Sequence, residues 1–128
     1  MNVEPACLTS FHARAALMGF AFTIIAAGDG SGVPPELYGN VVYTIPAIAW
    51  GSTQATLGTL CAIFIVLKWM RLLAVFSGLH ALYYCGMGTL ALRAEMGTLV
   101  AIGAIAIMLP PCISTFLFAT RQIGEADG

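Results

Sequence analysis

The sequence predicts an all-α integral membrane protein, a four-span antiparallel transmembrane helix bundle forming one domain over residues 1–128. Three observations predict it. Residues of the AVILMFWYC set make up 59% of the chain and Asp, Glu, Lys and Arg only 9%, against about 25% charged in a soluble domain. Mean hydropathy is +0.91. Four apolar runs are each long enough to cross ~30 Å of hydrocarbon at 1.5 Å per residue. Eleven charged side chains cannot clothe a soluble globule of this size, which excludes a soluble enzyme and a disordered chain. The net charge of −1 offers no electrostatic footprint for nucleic acid.

Taken in order, the first run covers residues 10–27. It carries Arg14 near one end, where a long cationic side chain reaches the headgroups. A competing reading makes this start a cleaved signal peptide, with His12 and Arg14 as the basic region, 17–25 as the apolar region and Ala26-Ala27-Gly28 as the cleavage site. The long segment before Arg14 and the presence of Glu4 argue against it. Residues 28–36, rich in Gly and closing on Pro34-Pro35-Glu36, read as a polar turn region that opens a short interfacial helix through Tyr38. The second run covers 42–67, with Pro46 in its first turn, where proline is harmless. Residues 68–71 form a tight basic hairpin. The third run covers 72–92. Residues 93–96 form a tight, charge-balanced turn, and the fourth run covers 97–119. Short connections force neighbouring helices to run antiparallel.

Orientation follows from the basic residues. Arg14, Lys68, Arg71 and Arg121 collect on one side, and Arg93 stands alone on the other. The positive-inside rule then places both termini in the cytoplasm of an inner or plasma membrane. Trp69 and the Tyr38/Tyr43 pair fall at opposite interfaces, as an aromatic belt requires.

Candidate functional residues are few. Gln54 and His80 are the strongest polar side chains inside the runs, and both come near the bilayer middle. Unpaired, either is costly in hydrocarbon, so each is expected to face protein or water. Two roles remain open: an interhelical hydrogen bond, direct or through water, or a midplane path for a proton or solute, flanked by Tyr83 and Tyr84. Small residues recur every four positions, most regularly as Ala47, Gly51 and Ala55, a stripe that permits close helix approach within the bundle or between copies. Pro110 and Pro111 predict a kink near Leu109. Cys7, Cys61, Cys85 and Cys112 show no ligand spacing, so no metal site is expected, and the three at membrane depth read as small apolar groups. No catalytic constellation and no cofactor motif is present.

The expected protein is therefore not an enzyme. Its partners are the lipid bilayer and either further copies of itself or another membrane protein. Size, small-residue stripes and the lack of a catalytic site resemble the holins, small phage proteins that oligomerise into membrane lesions. That resemblance implies a self-associating, pore- or lesion-forming function. The alternative is a small channel or transporter using Gln54, His80 and the proline kink.

Overall fold

The structure, a computed structural model, describes residues 4–28, 47–93 and 102–128, except the side chains of 25–28, 47, 91 and 93. Among these residues the chain is all helical. Helix α1 spans Pro5–Gly28, α2 Ala47–Val66, α3 Met70–Arg93 and α4 Leu109–Asp127, the last preceded directly by a π-helical segment, Gly103–Met108. α1, α2, α3, and α4 taken together with its π-helical segment as Gly103–Asp127, are each long and apolar enough to cross a membrane. Residues 29–36 of the polar turn, 94–96 of the next turn and the start of the second and fourth runs lie outside the described residues.

Helix ends differ from the ends of the apolar runs for a physical reason: a helix continues beyond hydrocarbon wherever the backbone can still bond itself. α1 begins at Pro5, five residues earlier than the apolar run, because proline's fixed φ and missing N–H suit the first helical turn. α4 continues to Asp127, where Gln122 Nε2 donates to Glu125 Oε2 at 3.1 Å on the exposed surface.

The α2–α3 turn is closed by a Schellman motif. Lys68 N–H donates to Ile65 O at 3.2 Å and Trp69 N–H to Phe64 O at 3.0 Å, satisfying carbonyls that the end of α2 leaves over. Lys68 holds the left-handed position, φ 57°, which usually falls to glycine. Phe64 and Trp69 stack at 6.0 Å across the turn, the apolar contact that accompanies this motif.

Proline acts on the fourth helix through backbone hydrogen bonding. Pro110 and Pro111 occupy the second and third positions of α4, in the first turn, where their missing N–H groups cost least. The disturbance is passed upstream. Leu109 N–H donates to Ala104 O, five residues back, and Gly103–Met108 is π-helical. The kink expected near Leu109 thus takes the form of a π segment, whose wider turn absorbs the interrupted bonding.

Polarity is inverted relative to a soluble bundle. His12, Gln54, Ser77, His80 and Thr115 are buried, while Leu17, Ile24, Leu82 and Ile107 are each about two-thirds exposed. An apolar exterior around a polar interior is what hydrocarbon as solvent demands. α1 and α2 meet backbone to backbone. A Cβ on Gly51 would lie 2.8 Å from Thr23 N, one on Gly58 2.7 Å from Ala16 N, and one on Gly19 would collide with Ala55 N. Gly51 and Ala55 of the small-residue stripe therefore face α1 of the same chain.

Candidate functional site: a buried histidine pair

Each helix sends one polar or soft side chain to a common centre. On α1 the buried positions include Leu8, His12, Ala15 and Gly19, and on α3 Leu73, Ser77, His80, Tyr84 and Met87. These spacings of three and four lay each histidine on its helix's inner face. α2 contributes Cys61 and α4 contributes Thr115, and all four side chains are fully buried. The centre lies between two apolar clusters, one around Trp50, Leu57, Tyr84 and Met87, the other around Leu8, Phe64, Leu73 and Ala119. Both clusters seal it from water.

One arrangement of protons satisfies all three hydrogen bonds of the centre. Thr115 Oγ1 donates to Pro111 O at 2.8 Å. Its oxygen is then the acceptor for His12 Nε2, at 2.9 Å. With Nε2 protonated and the ring neutral, His12 Nδ1 carries a lone pair. His80 Nδ1 lies 3.2 Å from it, a contact that is attractive only if His80 donates its Nδ1–H. The remaining nitrogen, His80 Nε2, is then a lone pair, and it has no hydrogen-bond partner among the described residues. The chain of donors runs His80 to His12 to Thr115 to Pro111 and stops at a carbonyl, which has no proton to pass on. Tyr84 stacks on His80 at 4.9 Å and holds its ring plane.

Cys61 completes the cluster. One ligand-capable atom from each of His12, Cys61 and His80 lies within 4.8 Å of the others. Two imidazoles and a thiol make a soft donor set of the kind that holds transition metals.

Gln54 and His80 are both buried, as polar groups at that depth should be, but each has a different partner. Gln54 Nε2 donates to Ala15 O at 3.1 Å, and its Oε1 faces Tyr83 OH at 3.3 Å. Tyr83 OH also lies 3.1 Å from Trp50 O. His80 turns to His12 instead. The direct Gln54–His80 pair is thus replaced by two neighbouring networks, joined where Tyr83 packs 6.3 Å from the His80 ring. The reason is rotational: Tyr83 and Tyr84 stand three and four residues after His80, and Tyr83 takes the side facing Gln54.

His12 and Cys61 escape a reading of the sequence. His12 stands two residues before Arg14, near the start of an apolar run, and reads as an interfacial group. With α1 beginning at Pro5, it lies seven residues inside the helix, about 10 Å from its end. The signal available was the spacing Leu8, His12, Ala15, Gly19, which puts His12 on the small-residue face. Of the other candidates, Ala47 has its side chain outside the described residues, and Pro110 and Pro111 shape α4 one turn before the centre.

No protein-family model matches the chain, and no curated protein and no solved structure matches it.

Proposed function

We propose that this chain is a small, non-enzymatic integral membrane protein of the transporter class, which takes a small solute into the buried centre at His12, His80, Cys61 and Thr115. The observation that carries this reading is the convergence of polar or soft groups from all four helices at one sealed point. Intramembrane ionisable side chains are costly and mark solute sites, and transporter sites lie between helices near mid-membrane depth. A donor chain that ends on Pro111 O favours a site that binds over a wire that relays protons. The π segment before α4 supports the reading, since π turns interrupt helices at functional positions.

The topology proposed with it is an antiparallel bundle with both termini in the cytoplasm of the inner or plasma membrane. Contacts in opposite chain order support the antiparallel arrangement: Thr23 meets Gly51, Gly19 meets Ala55 and Ala16 meets Gly58. Arg71 at the start of α3 likewise pairs with Asp127 at the end of α4, at 3.6 Å. The four-to-one segregation of basic residues supports the orientation. Gly32→Cys is expected to label from outside and Gly128→Cys from the cytoplasm; cytoplasmic labelling of Gly32→Cys overturns the orientation.

The function is tested by flux. Proteoliposomes loaded with candidate solutes should show saturable uptake that His80→Gln abolishes while the helices persist. Uptake that is linear with concentration and indifferent to His80→Gln removes the reading. Self-association of the holin type is the second reading, favoured by one observation. α2 turns Ser52, Thr53 and Thr56 outward around a shallow groove of about 230 Å³, and hydroxyls at membrane depth bond across helices. Dye leakage rising steeply with protein density, and lost in Thr53→Val/Thr56→Val, would favour that reading instead.

A further inference from the structure

We propose that His12, Cys61 and His80 form a binding site for a soft monovalent transition-metal cation, Cu(I) in chemical class. The inference goes beyond the transport reading and does not need it, since such a site can hold its ion in a protein that moves nothing.

Two independent observations carry it. The first is the cluster itself, three fully buried donors whose ligand atoms lie within 4.8 Å of one another. The nitrogens facing each other, His12 Nδ1 and His80 Nδ1, are 3.2 Å apart. Two nitrogens bound at about 2.0–2.1 Å to one metal are separated by roughly 3.3–3.6 Å for tetrahedral to trigonal angles. The imidazoles thus stand close to a shared-ion spacing, and Cys61 offers the third ligand atom of a group whose members lie within 4.8 Å of one another. The second observation is the orphaned His80 Nε2, a polar atom sealed from water without a partner among the described residues. The histidine pair therefore holds two lone pairs and uses only one of them in hydrogen bonding. His12 offers Nδ1, because its Nε2 is engaged by Thr115. His80 offers Nδ1 as it stands, or Nε2 after a ring flip.

Charge selects the ion. None of the six Asp and Glu residues, at positions 4, 29, 36, 95, 125 and 127, falls inside the apolar runs. Within the cluster, Cys61 thiolate is therefore the single negative ligand; the other buried thiol, Cys112, is not part of the group of donors within 4.8 Å. A monovalent cation with one thiolate and two neutral imidazoles is a neutral unit, whereas a divalent cation leaves one positive charge uncompensated in a low-dielectric interior. Thiolate and imidazole donors suit Cu(I), and a soft sulfur ligand favours it over hard cations. Binding is ligand exchange without change of oxidation state. Cu(I) leaves its carrier ligand, the Cys61 S–H bond breaks as a Cu–S bond forms, and the proton goes to bulk buffer as the ion enters. The His80 Nδ1 proton moves to Nε2 when Nδ1 becomes a ligand. Thr115 is a positioning residue: its oxygen accepts from His12 Nε2 and fixes which nitrogen of that ring is free.

The test uses the full-length protein in detergent with the exposed thiols removed, Cys7→Ser and Cys85→Ser. Cu(I) is supplied without oxygen as its complex with a chromogenic chelator, and transfer is read from the chelator colour. One equivalent per chain is expected, with one sulfur and two nitrogens by X-ray absorption. Cys61→Ser should weaken Cu(I) binding at least 100-fold. Thr115→Val should weaken it 10- to 100-fold, and Thr115→Ser should restore it. If the folded background protein takes no Cu(I) from the chelator, the inference fails. It also fails if Cys61→Ser folds and binds unchanged, or if Zn²⁺ binds at least as tightly. Should Cys61→Ser not fold, the absorption spectrum decides, since a sulfur count other than one overturns the site.

Discussion

Two helix interfaces of this bundle are built on opposite principles. Between α1 and α2 the backbones touch, and Gly19, Gly51 and Gly58 have no room for even one added carbon. Between α3 and α4 the spacing is set by side chains. A Cβ on Gly78 would sit at an ordinary 3.7 Å from Phe116, whereas Gly86, exposed and outside the interface, would place one in open space. Small residues recur along both α2 and α3, so pattern alone does not separate the two interfaces. The difference teaches that a small residue in a membrane helix has meaning only through what lies opposite it. Close backbone approach at the α1–α2 seam also serves the centre. It brings His12 O and Ala16 N against Gly58, one turn of α2 before Cys61.

The largest expected effect breaks this comparison outright. Gly58→Leu and Gly51→Leu should each cost about 3 kcal/mol or more, because backbone atoms cannot step aside as a side chain can. Gly86→Leu should cost little. Reversible unfolding in mixed detergent micelles measures all three, and equal losses at Gly58 and Gly86 would show that the seam is not the tight interface.

Next come the polar contacts. Removing His12 by His12→Leu strands the Nδ1–H of His80 and should cost about 1–3 kcal/mol. In a double-mutant cycle, His12→Leu and His80→Leu should couple by about 0.5–2 kcal/mol, whereas Gln54→Leu and His80→Leu should add to within about 0.5 kcal/mol. Strong coupling of Gln54 to His80, with none between His12 and His80, would return the pair to the partners that depth alone implies. Gln54→Leu by itself should cost about 1 kcal/mol, since interhelical hydrogen bonds in lipid average ~0.6 kcal/mol and the Tyr83 hydroxyl keeps Trp50 O.

The smallest effects are gains. Gly86→Ala, on an exposed helical position, should stabilise by about 0.5–1 kcal/mol through backbone entropy, while Gly58→Ala destabilises. Lys68→Gly should stabilise by about 1 kcal/mol, because a left-handed φ costs a side-chain-bearing residue roughly that much. Thermal midpoints in one detergent rank the set, and a loss for Gly86→Ala would place an unseen contact on that face.

Much of the architecture is legible in the sequence alone. Apolar length found four helices, because crossing hydrocarbon and bonding one's own backbone are both local requirements. Gln54 and His80 stood out as buried groups because polarity inside an apolar run has nowhere else to go. The fates of Pro110 and Pro111 were half legible: interrupted bonding follows from the residue type, but its discharge into a π segment depends on how α4 packs.

The amino-acid sequence by itself determined the apolar character of the chain, its four long helices among the described residues and the burial of Gln54 and His80, since these follow from composition and from periodicity along one chain. Partner choice was decided only by the tertiary structure. His12, Cys61, His80 and Thr115 come from four helices, and nothing in their spacing along the chain relates them. They meet because the glycine seam sets how closely α1 and α2 approach, and because the inner faces of α3 and α4 turn His80 and Thr115 toward His12. Rotation about a helix axis and the distance between axes are properties of packing, so the histidine pair exists only in three dimensions.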